Sequence, residues 1–371
     1  MAGCAVASNR SPGCRGHAMN LELIPFGLTY DDVLLIPRRS RIRSRLDVDL
    51  STRLTRNRNI GLPVVAANMD TVCESDMARA MAEMGGIGII HRFMTSKHQA
   101  DEIARVKDTG PDLLVGAAIG TDRDMLARME ACVQAGTDVI VLDIAHGHSE
   151  HAIAGVQQCK DRFPEVDLIA GNVATAEGAL DLTDAGADAV KVGVGPGGVC
   201  ITRQVTGVGV PQLTALHNVL QSGIDVPIIA DGGIRTAGDI AKALATGADT
   251  VMLGSLLAGT KESPGDVEQS SHGLVKRIRG MASREAVEDR AERLREQLDE
   301  EYFEMRSPEG VESTVPYKGL VGKIIGNLMG GVKSSFSYLN AENIREFQEN
   351  AAFIRVSPAG LREGEPHIDA V

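Results

Sequence analysis

The chain has 371 residues, 43% of them hydrophobic but only 3% aromatic and none of them Trp, so aliphatic and alanine packing must build its core. Its net charge is −12 with Lys and Arg dispersed along the chain, which argues against nucleic acid as the main partner, since phosphate binding needs a concentrated basic surface. No apolar run is long enough to span a membrane, no apolar signal core opens the chain, and six cysteines lack C-x-x-C spacing, so we expect a cytoplasmic protein in a reducing compartment with no membrane partner.

Residues 1–20 read as a flexible tail, with Met19 a candidate start, and residues 21–371 as one domain. From residue 64 onward short apolar runs alternate with helical patterns. Eight candidate strands are Val64–Asp70, Ile87–Arg92, Leu113–Gly120, Val139–His146, Leu168–Val173, Ala189–Gly195, Pro227–Gly233 and Thr250–Ala258. Between them lie amphipathic stretches such as Ser75–Met84, Lys97–Lys107, Arg123–Ala135 and Ala176–Ala185. Near-continuous apolar strands alternating with helices imply a parallel sheet covered on both faces. Eight such units predict an α/β fold, a (β/α)8 TIM barrel. The alternative, a doubly wound sheet, lacks a G-x-G-x-x-G that opens a helix.

Three phrases recur: Gln-Ala-Gly-Thr-Asp-Val (134–139), Asp-Ala-Gly-Ala-Asp-Ala (184–189) and Ala-Thr-Gly-Ala-Asp-Thr (245–250). Each places a glycine at a helix C-cap just before a strand, which is a structural device without chemistry. After the eighth strand a polar segment, approximately residues 260–340, precedes a last helix over Ala341–Asn350 and reads as an inserted flap. Its charged stretch 284–304 has the pattern of a solvated helix with i,i+4 ion pairs. Emerging from the C-terminal end of a strand, it also lies where a lid would act.

On a barrel the strand C-termini share one face. There Ala67-Asn68-Met69-Asp70 follows strand one, Asp143 to His148 follows strand four, and the glycine-rich loop 193–203 follows strand six. Gly195, Gly197 and Gly198 permit tight backbone around that loop. Cys200 at its end is either a nucleophile or a small buried hydrophobe, the usual fate of a free cysteine. Gly232, Gly233, Gly254 and Ser255 close strands seven and eight, where such barrels hold a phosphate on backbone N–H groups. Asp231 beside them can accept from ribose hydroxyls. Together these residues point to a phosphorylated nucleoside or sugar. His91, His146 and His148 do not repeat a ligand spacing, so a metal site is not read from them.

These residues resemble the family of IMP dehydrogenases and GMP reductases across nearly all of residues 28–367. The resemblance rests on Leu-Thr-Tyr-Asp-Asp-Val-Leu-Leu-Ile-Pro (28–37), Met69-Asp70-Thr71-Val72, the Gly-Pro-Gly-x-x-Cys loop, Ala-Asp-Gly-Gly-Ile (230–234) and Pro308-Glu309-Gly310. It implies that Cys200 attacks C2 of a purine nucleotide 5′-monophosphate to give a covalent thioimidate, with a nicotinamide cofactor exchanging hydride at that carbon. Thr202 and Glu309 match the family's proton-transfer pair. Asn68, Met281, Ser283 and Arg306 would border the base, and Arg92, Asp143, Gly195 and Ser335 match cofactor positions. Carbonyls of Gly195, Gly197 and Cys200 would hold a potassium ion, completed near Glu363 of a neighbouring subunit in a homotetramer.

The direction of the reaction rests on fewer residues. Val106-Lys107 passes to Leu113 without the CBS modules that IMP dehydrogenases usually insert there, and Asn68 and Arg306 resemble the reductases. Dehydrogenases need an Arg-Tyr pair in the flap to activate water, where this chain has Glu301-Tyr302. A carboxylate cannot supply the fixed charge of a guanidinium. Against this, the flap length and the tail Ala359–His367 resemble dehydrogenases. Ile278 stands where dehydrogenases often have a phosphate-holding Tyr and Gly198 where the cysteine loop usually has Ser, so altered phosphate contacts are expected. The expectation is an NADPH-dependent GMP reductase. The alternatives are an NAD-dependent IMP dehydrogenase making XMP, a homologue acting on a modified purine nucleotide, and a non-catalytic nucleotide binder.

Overall fold

A computed structural model describes residues 24–271, 273–294 and 307–366. Eight parallel strands close into a barrel: β1 (Val64–Ala66), β2 (Ile87–Ile90), β3 (Val115–Ile119), β4 (Val139–Asp143), β5 (Asp167–Val173), β6 (Ala189–Val192), β7 (Ile228–Asp231) and β8 (Thr250–Leu253). They coincide with the eight apolar runs, and the fold is the expected (β/α)8 barrel. Side chains alternate across each strand, so every second residue points to the axis. Val65, Ile87, Ile89, Val139, Val141, Ile169, Ala189 and Ile229 fill the interior. Their neighbours Val64, Ile90, Ile140, Leu168, Val190 and Ile228 pack outward in the larger core shared with the helices.

The N-terminal ends of the strands form a sealed floor. A hairpin of Thr52–Arg53 with Asn59–Ile60 lies across it and sends Leu54 and Ile60 into the interior cluster. Burying one such aliphatic side chain stabilises the fold by about 1.5–3 kcal/mol. The hairpin is fastened by Thr55 Oγ1 and Asn57 Nδ2, which donate to the two oxygens of Asp167, each at 2.8 Å. The three recurring phrases act here as well. Gly136, Gly186 and Gly247 take φ of +94°, +110° and +115°, conformations that favour glycine at a helix end. The Asp two residues later then turns back to the preceding strand: Asp138 accepts from Val115 N, Asp188 from Leu168 N and Asp249 from Ile228 N, all at 2.9 Å. Lys107 and Lys160 complete two of these carboxylates at 2.6 and 2.9 Å.

Beyond β8 three antiparallel strands form a separate small sheet, β9 (Glu268–Ser270), β10 (Gly273–Arg279) and β11 (Glu312–Pro316), with helix Arg284–Leu294 following β10. The expected flap of 260–340 is not polar throughout. Val321–Tyr338 is an 18-residue helix that buries Val321, Ile325, Met329, Val332 and Phe336, spacings that make one helical face. It packs on helix Ala237–Ala245, and a side chain at Gly331 would begin 2.5 Å from Ala237 Cβ. This helix belongs to the outer ring of the barrel. The last expected helix is shorter than drawn, Ile344–Asn350, because Asn343 Oδ1 caps it by accepting from Glu346 N at 3.0 Å. Phe353–Arg355 then pairs with Val33–Leu35, and helix Pro358–Glu363 follows. No described helix is long and apolar enough to cross a membrane.

Candidate active site

Because inward positions recur every two residues, the layer above Val141, Ala189 and Ile229 is Asp143, Lys191 and Asp231. A lysine inside the barrel needs anionic partners, since an unpaired buried ammonium is strongly disfavoured. Lys191 is 2% exposed, and its Nζ lies 2.7 Å from Asp143 Oδ1 and 2.6 Å from Asp231 Oδ2. It also donates to Asn172 Oδ1. Asn172 Nδ2 donates onward to Asp231 Oδ2 at 2.9 Å and to Gly193 O at 2.7 Å. Asn68 Nδ2 donates to Asp143 Oδ2 at 2.8 Å. Asn172 arrives by a register shift of β5 against β6 between Gly171 and Val173. Gly171 must be bare, because a Cβ there would sit 2.6 Å from Lys191 O and 2.8 Å from Lys191 Cβ. Burial pushes the Asp143 carboxyl up, yet the charge and hydrogen bond of Lys191, with help from Asn68 and Arg92, hold it below its ordinary value. Burial likewise acts to lower Lys191, and the two carboxylates outweigh it and keep the ammonium charged.

Above this layer opens a cleft of about 330 Å³. Cys200 is half-buried in it, with Sγ 3.1 Å from Thr202 Oγ1. The other three described cysteines are buried, and burial pushes their thiols up, to about 12 for Cys132 and about 11 for Cys159. Such thiols are inert. Cys200 is the described cysteine placed on open space beside a proton-bearing group. Its loop is clamped from the far side of the flap. Cys200 bridges Gly310, Ile201 N donates to Glu309 O at 2.9 Å, and Val311 N donates to Val199 O at 3.0 Å. Glu309 N donates in turn to Ala282 O at 3.0 Å. These bonds bring Glu309 into the lining of the same cleft as Cys200 and Thr202.

The cleft also gathers Asn68, Arg92, Asp143, Gly195, Gly197, Asp231, Gly232 and Met281. Arg92 is steadied by Asp122, to whose Oδ2 it donates at 2.9 Å. Gly233 lies at the rim against Pro196, and a side chain at Gly198 would begin 3.8 Å from Ser255 Oγ. The loops after β6, β7 and β8 therefore meet at one place. Gly254 stands beside them against Met69.

Two expected site residues lie elsewhere. Ser283 is fully buried and its Oγ accepts from Ala286 N at 3.2 Å, so it caps helix Arg284–Leu294 rather than lining the cleft. Ser335 lies on the outer helix Val321–Tyr338 and donates to its own helix at Gly331 O, 3.4 Å away. Arg306 and the pair Glu301-Tyr302 lie outside the described residues. Reading the sequence missed Lys191 and Asn172. The signal for Lys191 was a lone cation inside the apolar run Ala189–Val192.

His91 is buried and structural: its Nδ1 accepts from Phe93 N at 3.1 Å, which turns the Nε2 proton to Glu74. Among the described residues no cluster of His, Cys, Asp and Glu is built for a metal. An alkali cation asks for neutral oxygens instead, and backbone carbonyls of Gly195, Gly197 and Cys200 are donors of that kind. Gly197 O also accepts from Cys200 N at 3.1 Å.

A closed barrel with a thiol, a hydroxyl and a carboxylate gathered above a buried Asp–Lys–Asp layer is a (β/α)8-barrel enzyme with its site at the C-terminal ends of the strands. Residues 27–367 match the family model for the IMP dehydrogenase / GMP reductase domain. The chain belongs to this family, whose members are oxidoreductases. It is 40% identical to the inosine-5′-monophosphate dehydrogenase of Nitrosopumilus maritimus, over 92% of this chain and 98% of the relative. It is 39% identical to the GMP reductase of Leishmania donovani, over 94% and 98%. Among solved structures, a Cys-to-Ala variant of Trypanosoma brucei GMP reductase in complex with guanosine 5′-monophosphate superposes with a TM-score of 0.87 at 37% identity, covering 94% of this chain and 99% of that one.

The two activities are thus equally near by name. The missing modules do not choose between them either. The Leishmania reductase aligns over 483 positions, which requires long insertions relative to this chain, whereas the dehydrogenase of Borreliella burgdorferi, 40% identical, aligns over 390.

Proposed function

We propose that the protein is a GMP reductase, converting GMP to IMP and ammonia by NADPH-dependent reductive deamination. The observation that carries this reading is the convergence of Cys200, Thr202 and Glu309 in one cleft with Asn68, the residue whose resemblance leans to the reductases. Cys200 Sγ forms a bond to C2 of the guanine. Thr202, backed by Glu309, delivers a proton to the exocyclic amine, which leaves as ammonia and yields the thioimidate. General acid assistance of this kind contributes about 10²–10⁴-fold. NADPH, when bound, would supply the hydride for C2; Cys200 then takes back the electron pair of the C–S bond as IMP is released. One proton is consumed overall.

In this reading Gly232, Gly233, Gly254 and Ser255 hold the 5′-phosphate, and Asp231 accepts from the ribose. Met281 and Asn68 border the base. Arg92, Asp143 and Gly195 face the cofactor, where Arg92 offers a cation to its phosphates. The carbonyls of Gly195, Gly197 and Cys200 would hold a potassium ion that stiffens the loop, and the active form is a homotetramer in the cytoplasm.

The second reading, an NAD-dependent IMP dehydrogenase, is favoured by the 40% identity to named dehydrogenases. One assay separates them. The purified protein is given GMP with NADPH, and separately IMP with NAD⁺, while the reduced-nicotinamide absorbance is followed. Loss of absorbance with GMP supports the proposal. A gain with IMP and no loss with GMP refutes it.

A further inference from the structure

We infer that Lys191 is a positioning residue that ties the nucleotide side of the cleft to its cofactor side, one ammonium holding the carboxylates of Asp231 and Asp143 as a single unit. The inference rests on the reading that Asp231 meets the ribose and Asp143 the cofactor. Lys191 is the one lysine in the interior layer, and both of its carboxylate contacts are within 2.7 Å. Asp231 uses Oδ2 for Lys191 and for Asn172, and its Oδ1 accepts no hydrogen bond from the described residues. Asp143 has both oxygens engaged, by Lys191 and by Asn68. The backbone is cut to fit this side chain. Gly171 has no room for a Cβ beside Lys191, and a Cβ at Gly193 would lie 2.0 Å from Asp231 O. Gln212 Nε2 braces the same turn, donating to Val192 O at 2.8 Å and to Asp231 O at 3.2 Å. A displacement of either Asp therefore moves the ammonium, and with it the other Asp.

The charges give the inference a second, independent consequence. Two carboxylates share one buried ammonium at the bottom of the cleft. With the ammonium removed, two like charges face each other and one must take up a proton. Arg92 remains near Asp143 and favours its ionised form. Asp231 keeps the hydrogen bond from Asn172, and Cys200 and Glu309 line the same cleft. The pair then carries one proton, and the unit loses a charge.

The test uses wild type, Lys191→Met, Lys191→Met with Asp231→Asn, and Asp143→Ala. In Lys191→Met we expect an infrared carbonyl band of a buried carboxylic acid at neutral pH, absent from wild type and abolished by adding Asp231→Asn. Nucleotide kcat/KM should fall about 10²-fold, the scale of an ångström-level misplacement, with a pH dependence in nucleotide KM that wild type lacks. Asp143→Ala should raise the KM of the nucleotide as well as that of the cofactor. Lys191→Met with unchanged KM, unchanged pH profile and no acid band overturns the inference. So does an Asp143→Ala defect confined to the cofactor, a result that stands even if Lys191→Met does not fold. Wild type that turns over neither substrate pair fails the functional reading instead, and the infrared band alone then decides for or against Lys191.

Discussion

The two ends of the barrel use the same residue, aspartate, in opposite ways. At the floor Asp138, Asp188 and Asp249 accept from strand N–H groups, so their carboxylates are spent on holding one strand to the next. At the mouth Asp143 and Asp231 accept from the side chains of Lys191, Asn68 and Asn172. A backbone donor cannot be moved without moving the strand. A side-chain donor can be exchanged for a ligand or coupled to another site. Carboxylate chemistry is available only where the barrel leaves the backbone out of the bond.

The largest effect that tests this division is Cys200→Ala. It should reduce turnover to background while nucleotide affinity, measured by calorimetry, stays near that of wild type; surviving turnover would exclude the covalent route. Next, Thr202→Val or Glu309→Gln should lower kcat by about 10²–10⁴-fold with little change in nucleotide affinity. At the floor the pattern reverses. Asp188→Ala strips Leu168 N of its acceptor and Lys160 of its carboxylate partner and should cost about 1–3 kcal/mol in denaturant unfolding. Its kcat should match wild type, and a kinetic defect as large as those at the mouth would erase the distinction. The smallest effect is on the pH dependence of melting. Asp143 is held below its ordinary value, so its contribution is complete above about pH 3.9 and lost as pH falls further. Lys191 is held above its ordinary value, so its share is complete below about pH 10.4 and lost as pH rises further. Between those limits Tm should carry no slope from this pair, and Asp143→Asn should soften both limbs, because it also removes one of the two carboxylates that hold Lys191 up.

The barrel was legible because strand and helix periods differ and because glycine marks each helix end, as at Gly136, Gly186 and Gly247. The Cys200 loop was legible because so few residue types tolerate its backbone. Helix Val321–Tyr338 was hidden by Gly322, Gly326, Gly330 and Gly331, which weaken helix propensity, although Gly331 is needed where two helices nearly touch. Ser283 was matched by family pattern alone, and the structure adds that it caps the helix that follows it. Ser335 shows the same limit: a matched position says nothing about which face of the molecule it occupies. Lys191 was passed over because Ala-Val-Lys-Val reads as an ordinary buried strand, and only closure of the sheet reveals that its third residue shares an interior with Asp143 and Asp231. Asn172 depends on a register shift, which no local pattern announces.

The clamp between the cysteine loop and the flap strand has a consequence for exchange with solvent. Ile201, Glu309, Val311 and Gly280 donate their amides within one crossed set of backbone bonds joining residues 199–201, 280–282 and 309–311. None of those amides can open without releasing its neighbours, so they form one cooperative unit. In deuterium-exchange experiments they should gain label with a common rate, and a nucleotide seated against Cys200 should slow all four together.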